Sequence, residues 1–241
     1  MTSKEYCGRE YWIKENLRYT HRYFRTLKLA KIVNVMSRGK PCDLLDLGCG
    51  PETLSSLLNQ NVSYFGIDIA LHRAQKHLME MDITRNPIHF HGNTFDFVVA
   101  AGLFEYMGNC SHEKYAEILT LLKPNGKFIV TYMNMDHCTK PSFPSWNNIV
   151  TIDEFKEGLS QHYHVLDFFP SYYSAKEGDL ESELMRKLQL NFNLNIPLIG
   201  KRYGVNYIFI CSPKDAVGNT SLGRYGRNFK NAQACSPCRP N

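Results

Sequence analysis

Acidic residues and a glycine turn are the parts of this chain whose spacing could bind a ligand. Asp46 lies in a short apolar run, and Gly48 and Gly50 follow it one residue apart. Glycine has no Cβ, so the backbone at these two positions can adopt positive φ and a ligand can lie directly against it. Asp68 follows about 20 residues later, the offset at which a carboxylate accepts hydrogen bonds from both hydroxyls of a ribose. The pattern therefore predicts a site for a nucleotide-like ligand.

Each part of this pattern also has a simpler explanation. Gly-x-Gly turns occur in plain connections between a strand and a helix, and a lone aspartate often caps a loop. Asp82 nevertheless lies near the predicted end of a third strand, as Asp46 and Asp68 lie near the ends of the first two. Ligands of a doubly wound sheet bind beyond the carboxyl ends of its strands, so three acids at such ends favour the ligand site.

The elements that must position these residues alternate between strands and helices. Apolar runs predict buried strands, and apolar residues at helical spacing predict the helices between them. A helix is expected directly after the glycine turn, over Glu52–Asn59, with its N-terminal N–H groups facing the ligand. The alternation predicts an α/β fold with a doubly wound, mostly parallel, seven-stranded, Rossmann-like sheet. The predicted strands are Cys42–Leu47, Ser63–Asp68, Leu78–Ile83, Phe95–Ala101, Lys127–Tyr132, Val165–Phe169 and Tyr207–Cys211, with a helix over Ser111–Leu122.

Further elements flank this alternating part. Aromatic and apolar residues at helical spacing predict a long amphipathic lid helix over 11–36, whose Lys and Arg residues are expected on a solvated face. A capping box that begins at Thr151 marks the start of another helix, and one more is expected over Glu181–Leu190. The last strand follows without a clear crossover helix, which favours an antiparallel strand at the edge of the sheet.

The composition is that of a globular protein. The 241 residues are 43% hydrophobic and carry a formal net charge of +5, with the positive charge at the two ends and an acidic body between them. An acidic body argues against a nucleic-acid groove. No apolar stretch reaches the roughly 18 residues of a membrane span, and the N-terminus is charged where a signal peptide would be apolar. We therefore expect a cytoplasmic protein without a membrane contact, whose 8 cysteines stay reduced.

The motifs resemble those of class I S-adenosylmethionine-dependent methyltransferases from about Leu44 to Cys211. The most specific match is the segment around the glycine turn, Leu44–Pro51. The other matching segments are Tyr64–Ile69, Met81–Ile83, Phe95–Met107 and Leu121–Lys127.

The resemblance implies S-adenosylmethionine as the cofactor and gives each motif a role. Gly48, Cys49 and Gly50 would face the methionine part, with Asp46 near its ammonium group. The other implied cofactor residues are Asp68 at the ribose, Asp82 and Ile83 at the adenine, the backbone from Ala101 to Phe104 at the sulfonium, and Tyr19 at the carboxylate, with Ile69 next to Asp68 as a further cofactor residue. The expected regions are a lid at 1–40, the cofactor-binding methyltransferase domain at 41–213 with a substrate-side insertion at 170–203, and a disordered basic tail at 214–241.

The sequence departs from the family pattern at three places. Glu52 stands where the family often has glycine, and it either favours a helix N-terminus or crowds the cofactor carboxylate. The link from Asp68 to Asp82 is short, which leaves little room for the usual second crossover helix. The fourth strand runs into Ala-Gly-Leu-Phe-Glu, whereas enzymes that methylate exocyclic amines of bases or glutamine amides have an Asn/Asp-Pro-Pro-aromatic box. The acceptor is therefore expected to be a small molecule.

Methyl transfer from a sulfonium depends on alignment and exclusion of water more than on a catalytic constellation. A base helps where the acceptor is a hydroxyl or a carbon acid. Glu105 after the fourth strand and His137 after the fifth are the candidate bases, although each could also be a loop residue with satisfied hydrogen bonds. The aromatic residues that could line an acceptor site, or else pack in the core, include Tyr23, Trp146 and Tyr172.

Two other functions fit part of the sequence. Glu52 favours a catalytically silent partner subunit or binding module, and the glycine turn alone would suit an NAD-dependent oxidoreductase. The third glycine of the dinucleotide-binding pattern is absent, which weakens the oxidoreductase. Cys235 and Cys238 have no second pair at zinc spacing, so no metal site is predicted. The leading prediction is a methyltransferase for a small-molecule acceptor, with the methylated atom open and a homodimer possible.

Overall fold

A seven-stranded sheet carries every strand that the sequence predicts. The computed structural model describes residues 8–16, 24–71, 73–90, 92, 94–108, 111–136, 147–173, 187–196, 199–200 and 203–214. The helices are α1 (Arg9–Asn16), α2 (Phe24–Ser37), α3 (Ser111–Leu121) and α4 (Ile152–His162). The strands are β1 (Cys42–Leu47), β2 (Val62–Asp68), β3 (Leu78–Glu80), β4 (Phe95–Ala101), β5 (Leu122–Met133), β6 (Tyr163–Pro170) and β7 (Asn206–Pro213).

The strand order is β3-β2-β1-β4-β5-β7-β6. The first five strands pair in parallel, and β7 is antiparallel to both of its neighbours. The predicted α/β class, the mostly parallel sheet and the antiparallel pairing at its edge are thus confirmed, with β6 as the outermost strand. The order reverses between β1 and β4, so their carboxyl ends flank the crevice in which such sheets bind ligands.

Two apolar layers cover the two faces of the sheet. Helix α2 covers one face, where Val33 packs in one buried cluster with Leu44 and Val99. Helices α3 and α4 cover the other face, where Phe155 belongs to a cluster that includes Tyr115. The capping box at the start of α4 is present as predicted, with Thr151 and Glu154 bonded reciprocally. These two layers fix the sheet whose edge forms the site.

The helix predicted over Glu52–Asn59 is wrong. The structure has only a 3₁₀ turn at Ser55–Leu57, and Glu52 adopts a left-handed backbone with φ of +57°. Ser56 donates to the carbonyl of Thr53 at 3.0 Å, the kind of local bond by which serine competes with a helix. Leu54 is still buried. Its helical spacing in the sequence therefore indicated a buried side chain correctly but predicted the wrong secondary structure.

Other predicted elements hold with shifted boundaries. The helix predicted over 11–36 corresponds to two described helices: α1, which ends at Asn16, and α2, which begins at Phe24. Residues 17–23 between them lie outside the described part. The turn predicted ahead of the fifth strand is instead an irregularity inside β5, where the pairing to β4 shifts register. No helix occurs between β2 and β3 among the described residues, as the short link predicts. Only residues 187–190 of the helix expected over Glu181–Leu190 are described, and they are helical, as is residue 191.

The tail beyond residue 214 lies outside the described residues. Within the part of the chain that the structure covers, no helix is both long and apolar enough to cross a membrane. The cytoplasmic location stays a prediction.

Candidate functional site

The glycine turn after β1 is held against the end of β2. The N–H groups of Gly48 and Cys49 both donate to the carbonyl of Ile67, at 2.8 and 3.1 Å. Gly48 and Gly50 have φ of +73° and +51°, conformations that residues with a Cβ rarely adopt. The side chain of Cys49 packs inward, since a Cβ built on Gly66 of β2 would lie 2.8 Å from its Sγ. The turn therefore offers backbone, and no side chain of Cys49, to a ligand.

Asp68 links β2 to this turn. Its Oδ2 accepts a 2.8 Å hydrogen bond from the N–H of Gly50, and its Oδ1 accepts one of 2.8 Å from the N–H of Ala70. The residue is 7% exposed. A carboxylate oxygen has two acceptor positions, so a carboxylate can accept from backbone N–H groups and from a ligand hydroxyl together. The predicted ribose acid and the glycine turn are thus brought together.

Asp46 is a second buried acid beside the turn. It is 4% exposed and accepts a 2.9 Å hydrogen bond from the hydroxyl of Tyr64. Desolvation raises the pKa of Asp46 to about 7, the charge of Asp68 adds to this rise, and the Tyr64 hydrogen bond and the Arg25 charge oppose it. A carboxyl group with such a pKa ionises readily when a cation binds next to it.

The end of β3 is adjacent to the end of β2. The N–H of Met81 donates to the carbonyl of Asp68 at 2.8 Å, which places Asp82 one residue beyond that contact. Asp82 Oδ1 accepts from the N–H and the hydroxyl of Thr84, at 3.0 and 2.6 Å. Ile83 is buried in the apolar cluster under the sheet. Of the predicted adenine residues, Asp82 thus caps its own loop and Ile83 contributes to the core.

The end of β4 contributes backbone to the crevice. Gly102 follows Ala101 with φ of +69°, and its N–H donates to the hydroxyl of Thr131 on β5 at 2.9 Å. The ring of Phe104 is fully buried and stacks on Tyr115 of α3 at 4.9 Å. A ligand at this strand end can therefore meet the backbone near Phe104 but not its side chain.

Glu105 is a buried acid that joins three segments. Its Oε1 accepts a 2.9 Å hydrogen bond from the N–H of Met133 at the end of β5. Its main-chain carbonyl accepts from the N–H groups of Asn147 and Asn148. Its Oε2 is buried without a hydrogen-bond partner among the described residues, and burial raises the pKa of the group. The carboxyl group thus has a structural role, and only one of its two oxygens has a hydrogen-bond partner among the described residues.

Arg25 of α2 is a site residue that the sequence analysis missed. A Cβ built on Gly102 would lie 2.7 Å from one guanidinium nitrogen of Arg25, so the guanidinium covers this glycine. Its Nε is buried and has no hydrogen-bond partner in the described part of the chain. Its charge opposes the pKa rise of both Asp46 and Glu105. A basic residue one position after Phe24 in the predicted lid helix was the available signal.

Lys28 also departs from the solvated basic face expected for the lid helix. It is 1% exposed, and its ammonium donates to the carbonyls of Gln189 at 2.6 Å and Phe192 at 3.3 Å. Desolvation lowers the pKa of Lys28 to about 7.

The ring of Tyr172 packs edge-on against Phe24 of α2 at 6.0 Å. These contacts fasten the insertion to the lid helix at the carboxyl edge of the sheet.

Other predicted site residues lie outside this region or outside the described residues. Ile69 follows Asp68 at the edge of the crevice and is partly buried. Among the residues that the structure describes, no group of three or more His, Cys, Asp and Glu side chains could hold a metal ion. The site predictions that fall on residues not described are Tyr19, Tyr23, His137 and Trp146.

Solved structures share this fold at low sequence identity. The chain is similar to the 1,6-didemethyltoxoflavin-N1-methyltransferase of Burkholderia thailandensis, solved with 1,6-didemethyltoxoflavin and S-adenosylhomocysteine (TM-score 0.55, 13% identity, 85% of this chain and 84% of that one). It is similar to the N-methyltransferase NodS of Bradyrhizobium japonicum WM9 with S-adenosylhomocysteine (TM-score 0.54, 13% identity, 84% and 98%). It is also similar to a Haloferax volcanii complex of the Trm112 methyltransferase activator and a putative methyltransferase (TM-score 0.57, 16% identity, 85% and 95%).

No curated protein matches the sequence significantly. A family model described as a methyltransferase domain matches residues 19–177, which is more than half of the chain. This match supports the predicted enzyme class and, with it, S-adenosylmethionine as the cofactor. The chain therefore belongs to the methyltransferase domain family, and its fold is that of the class I S-adenosylmethionine-dependent methyltransferases.

Proposed function

We propose that this enzyme transfers the methyl group of S-adenosylmethionine to a small-molecule acceptor. The observation that carries the proposal is the hydrogen bond between Asp68 and Gly50, with the buried carboxyl of Asp46 beside it. A ribose acid and a side-chain-free turn are held together there at the point where the strand order reverses.

The residues present suit this cofactor. Gly48 and Gly50 form a cradle that a Cβ would strain, and two buried acids face a ligand that carries positive charge. Arg25 Nε and Glu105 Oε2 are a buried donor and a buried acceptor whose hydrogen bonds are unfilled among the described residues. The cofactor carboxylate would supply the charge that complements Arg25 Nε, and an acceptor hydroxyl or carbon acid would supply the proton donor that complements Glu105 Oε2.

We assign the cofactor contacts accordingly. Asp46 would accept from the ammonium group, and Arg25 and Tyr19 would bind the carboxylate. The remaining contacts are proposed as Gly48, Cys49 and Gly50 through their backbone, Asp68 and Ile69 at the ribose, Asp82 and Ile83 at the adenine, and Ala101 and Phe104 through backbone at the sulfonium. The proposed regions are the lid at 1–40, the cofactor-binding domain at 41–213, its insertion at 170–203 and a basic tail at 214–241.

When bound, S-adenosylmethionine supplies a methyl group on an electrophilic sulfonium. The chain's own residues align the acceptor with that group and exclude water from the crevice. Glu105 Oε2 is proposed to take a proton from an acceptor hydroxyl or carbon acid, because burial raises its pKa towards the range in which a base is effective. His137 is the second candidate base.

A small acceptor is proposed because the fourth strand lacks the Asn/Asp-Pro-Pro-aromatic box and because one similar structure holds 1,6-didemethyltoxoflavin. Tyr23, Trp146 and Tyr172 are proposed to line the acceptor site, and Tyr172 already packs against the lid helix. A homodimer stays a prediction.

The test is calorimetric titration of the purified chain with S-adenosylhomocysteine and, separately, with NAD. Binding of the first and not of the second is the expected result, and the reverse would contradict the proposal. Methyl transfer from labelled S-adenosylmethionine to a panel of hydroxyl, amine and carbon-acid metabolites then separates an enzyme from a silent binding module. Product with any small acceptor supports the enzyme.

A further inference from the structure

Glu52 forms a cluster of polar contacts with side chains of the β2–β3 connection. One carboxylate oxygen lies 3.2 Å from a guanidinium nitrogen of Arg73, and the other lies 3.0 Å from Nε2 of His77. The Glu52 side chain is only 10% exposed, whereas Arg73 and His77 reach it from a more exposed position. Its carboxylate thus points to the β2–β3 connection. Glu52 therefore neither starts a helix nor turns its charge to the proposed cofactor carboxylate. We call Glu52, Arg73 and His77 the Glu52 clamp.

The backbone of Glu52 is held in a conformation that favours glycine. Its φ is +57°, a value that strains residues with a Cβ and persists only where surrounding contacts enforce it. The residue lies two positions after Gly50, whose N–H donates to Asp68. If the backbone of Glu52 left this conformation, the N–H of Gly50 would therefore move relative to Asp68 and the hydrogen bond between them would weaken.

The Glu52 clamp adds to the apolar packing of this part of the chain, where Leu54 is buried and Leu57 and Leu58 pack against the same cluster. The connection after the turn contains only the 3₁₀ turn Ser55–Leu57, and the described part of the β2–β3 connection contains no helix. A cavity of about 120 Å³ lies beside the clamp, lined by Gly50, Pro51, Glu52, Leu71, Arg73 and Leu78. Glu52 and Arg73 line this cavity from the two connections that the clamp joins.

We propose that Glu52 is a positioning residue for the nucleoside half of the cofactor site. The Glu52 clamp ties the glycine turn to the β2–β3 connection, and this keeps the Gly50 N–H on Asp68 while Asp68 faces the ribose. The inference rests on the proposed function, because it concerns the affinity of the same site for its cofactor. It also gives Glu52 a role in an active enzyme, whereas the sequence alone made it an argument for a silent domain.

The first test is calorimetric titration of four chains with S-adenosylhomocysteine: wild type, Glu52→Gln, Glu52→Gly and Asp43→Asn. Glu52→Gln removes the charge and keeps the size, so affinity should fall about tenfold, as expected for losing a charge-assisted bond. Glu52→Gly accepts a positive φ without strain but has no clamp, and it should also bind more weakly. Asp43→Asn breaks the 2.9 Å pair with Lys123 at the opposite end of β1 and should leave affinity unchanged.

Wild-type affinity in Glu52→Gly would overturn the proposal, because backbone conformation alone would then suffice. A double variant, Glu52→Arg with Arg73→Glu, restores opposite charges and should recover affinity relative to either single change. No recovery in the double variant would contradict a clamp that depends on the charge pair between positions 52 and 73. Equal losses in Asp43→Asn and Glu52→Gln would likewise contradict a specific clamp.

Amide hydrogen exchange of the unliganded chains provides a second measurement that needs no cofactor. In Glu52→Gln, exchange should rise in residues 48–58 and 69–77 and stay unchanged in β5. Unchanged exchange around the turn would overturn the clamp. A wild-type chain that fails to bind S-adenosylhomocysteine would instead overturn the proposed function, and exchange would then still decide whether the clamp exists.

Discussion

The carboxylate of Asp68 and the backbone N–H of Gly50 are joined by a 2.8 Å hydrogen bond, although the two residues lie 18 positions apart in the chain. The bond connects the end of β2 to the turn after β1, two strands that pair in parallel register. We therefore propose two tasks for Asp68, because the carboxylate that is proposed to bind the ribose also fixes the turn that is proposed to face the methionine part.

Asp68→Asn should weaken binding of S-adenosylhomocysteine by at least about tenfold, the effect expected from losing hydrogen bonds to a charged group. The amide NH₂ cannot accept, so it cannot replace both oxygens that face the N–H groups of Gly50 and Ala70. Calorimetric titration measures the loss. Asp43→Asn is the matched control, since Asp43 lies at the far end of β1. Unchanged affinity in Asp68→Asn would contradict both the ribose role and the role in the turn.

Asp46 should make cofactor affinity depend on pH. Its pKa is about 7 in the folded chain, and a ligand ammonium beside it favours the ionised form. Affinity for S-adenosylhomocysteine should therefore rise as pH increases through about 7 and level off above it. Asp46→Asn should bind more weakly and show no such rise. Tyr64→Phe removes the hydrogen bond that favours the ionised carboxylate, so it should move the midpoint to higher pH.

The raised pKa of Asp46 also predicts how stability depends on pH: the free energy of unfolding should fall as pH rises, whereas cofactor affinity should rise. Between pH 4 and 7 the unfolded chain releases the Asp46 proton while the folded chain retains it, so this group lowers the free energy of unfolding as pH rises. The loss amounts to about 4 kcal/mol at most. Asp46→Asn should thus gain stability over wild type across this window, measured by urea unfolding at each pH. A constant difference would contradict the raised pKa.

Gly66 tests how closely the turn packs on β2. A Cβ at Gly66 would lie 2.8 Å from Cys49 Sγ and 2.9 Å from Leu78 Cδ2, so Gly66→Ala must displace one of these side chains. Overpacking of this kind costs about 1–3 kcal/mol. The matched change is Gly158→Ala in α4, where the nearest atom lies at 3.6 Å and alanine favours the helix by up to about 1 kcal/mol. In thermal unfolding, Gly66→Ala should lower the melting temperature and Gly158→Ala should raise it.

The strands and the acids at their ends follow from local sequence, because buried parallel strands need continuous apolar runs. Phe95–Ala101 is predicted and observed with the same limits. The backbone conformation that follows the glycine turn, from Glu52 onward, cannot be predicted from the local sequence. Leu54, Leu57 and Leu58 have helical spacing, but the left-handed backbone of Glu52 depends on partners more than 20 positions later. No local pattern contains that information.

Burial of basic residues is hidden from the sequence for a similar reason. A lysine or arginine on an amphipathic helix is normally solvated, and the pattern over 11–36 predicts that environment. Lys28 is buried because its ammonium meets carbonyls 161 and 164 positions away. Arg25 covers Gly102, a contact that exists only because the helix packs over the carboxyl end of β4. The cationic part of the site therefore emerges only from the tertiary structure.

Arg25 is expected to recognise the carboxylate of the cofactor, and two ligands can separate this role from general support of the site. S-adenosylhomocysteine carries the amino-acid group, whereas 5′-methylthioadenosine has the same nucleoside and sulfur without it. Arg25→Gln should weaken the first by at least about tenfold, as the loss of a charge-assisted pair predicts, and leave the second unchanged.

Lys31→Gln on the same helix is the control for this prediction, because the ammonium of Lys31 donates to the exposed side chain of Asn191 in the insertion, at 2.7 Å. It should leave the calorimetric affinity of both ligands unchanged. If Arg25→Gln weakened both ligands equally, Arg25 would support the nucleoside site or the fold and would not bind the carboxylate. If it weakened neither, the guanidinium over Gly102 would lie outside the cofactor site, and the acceptor would become its expected partner.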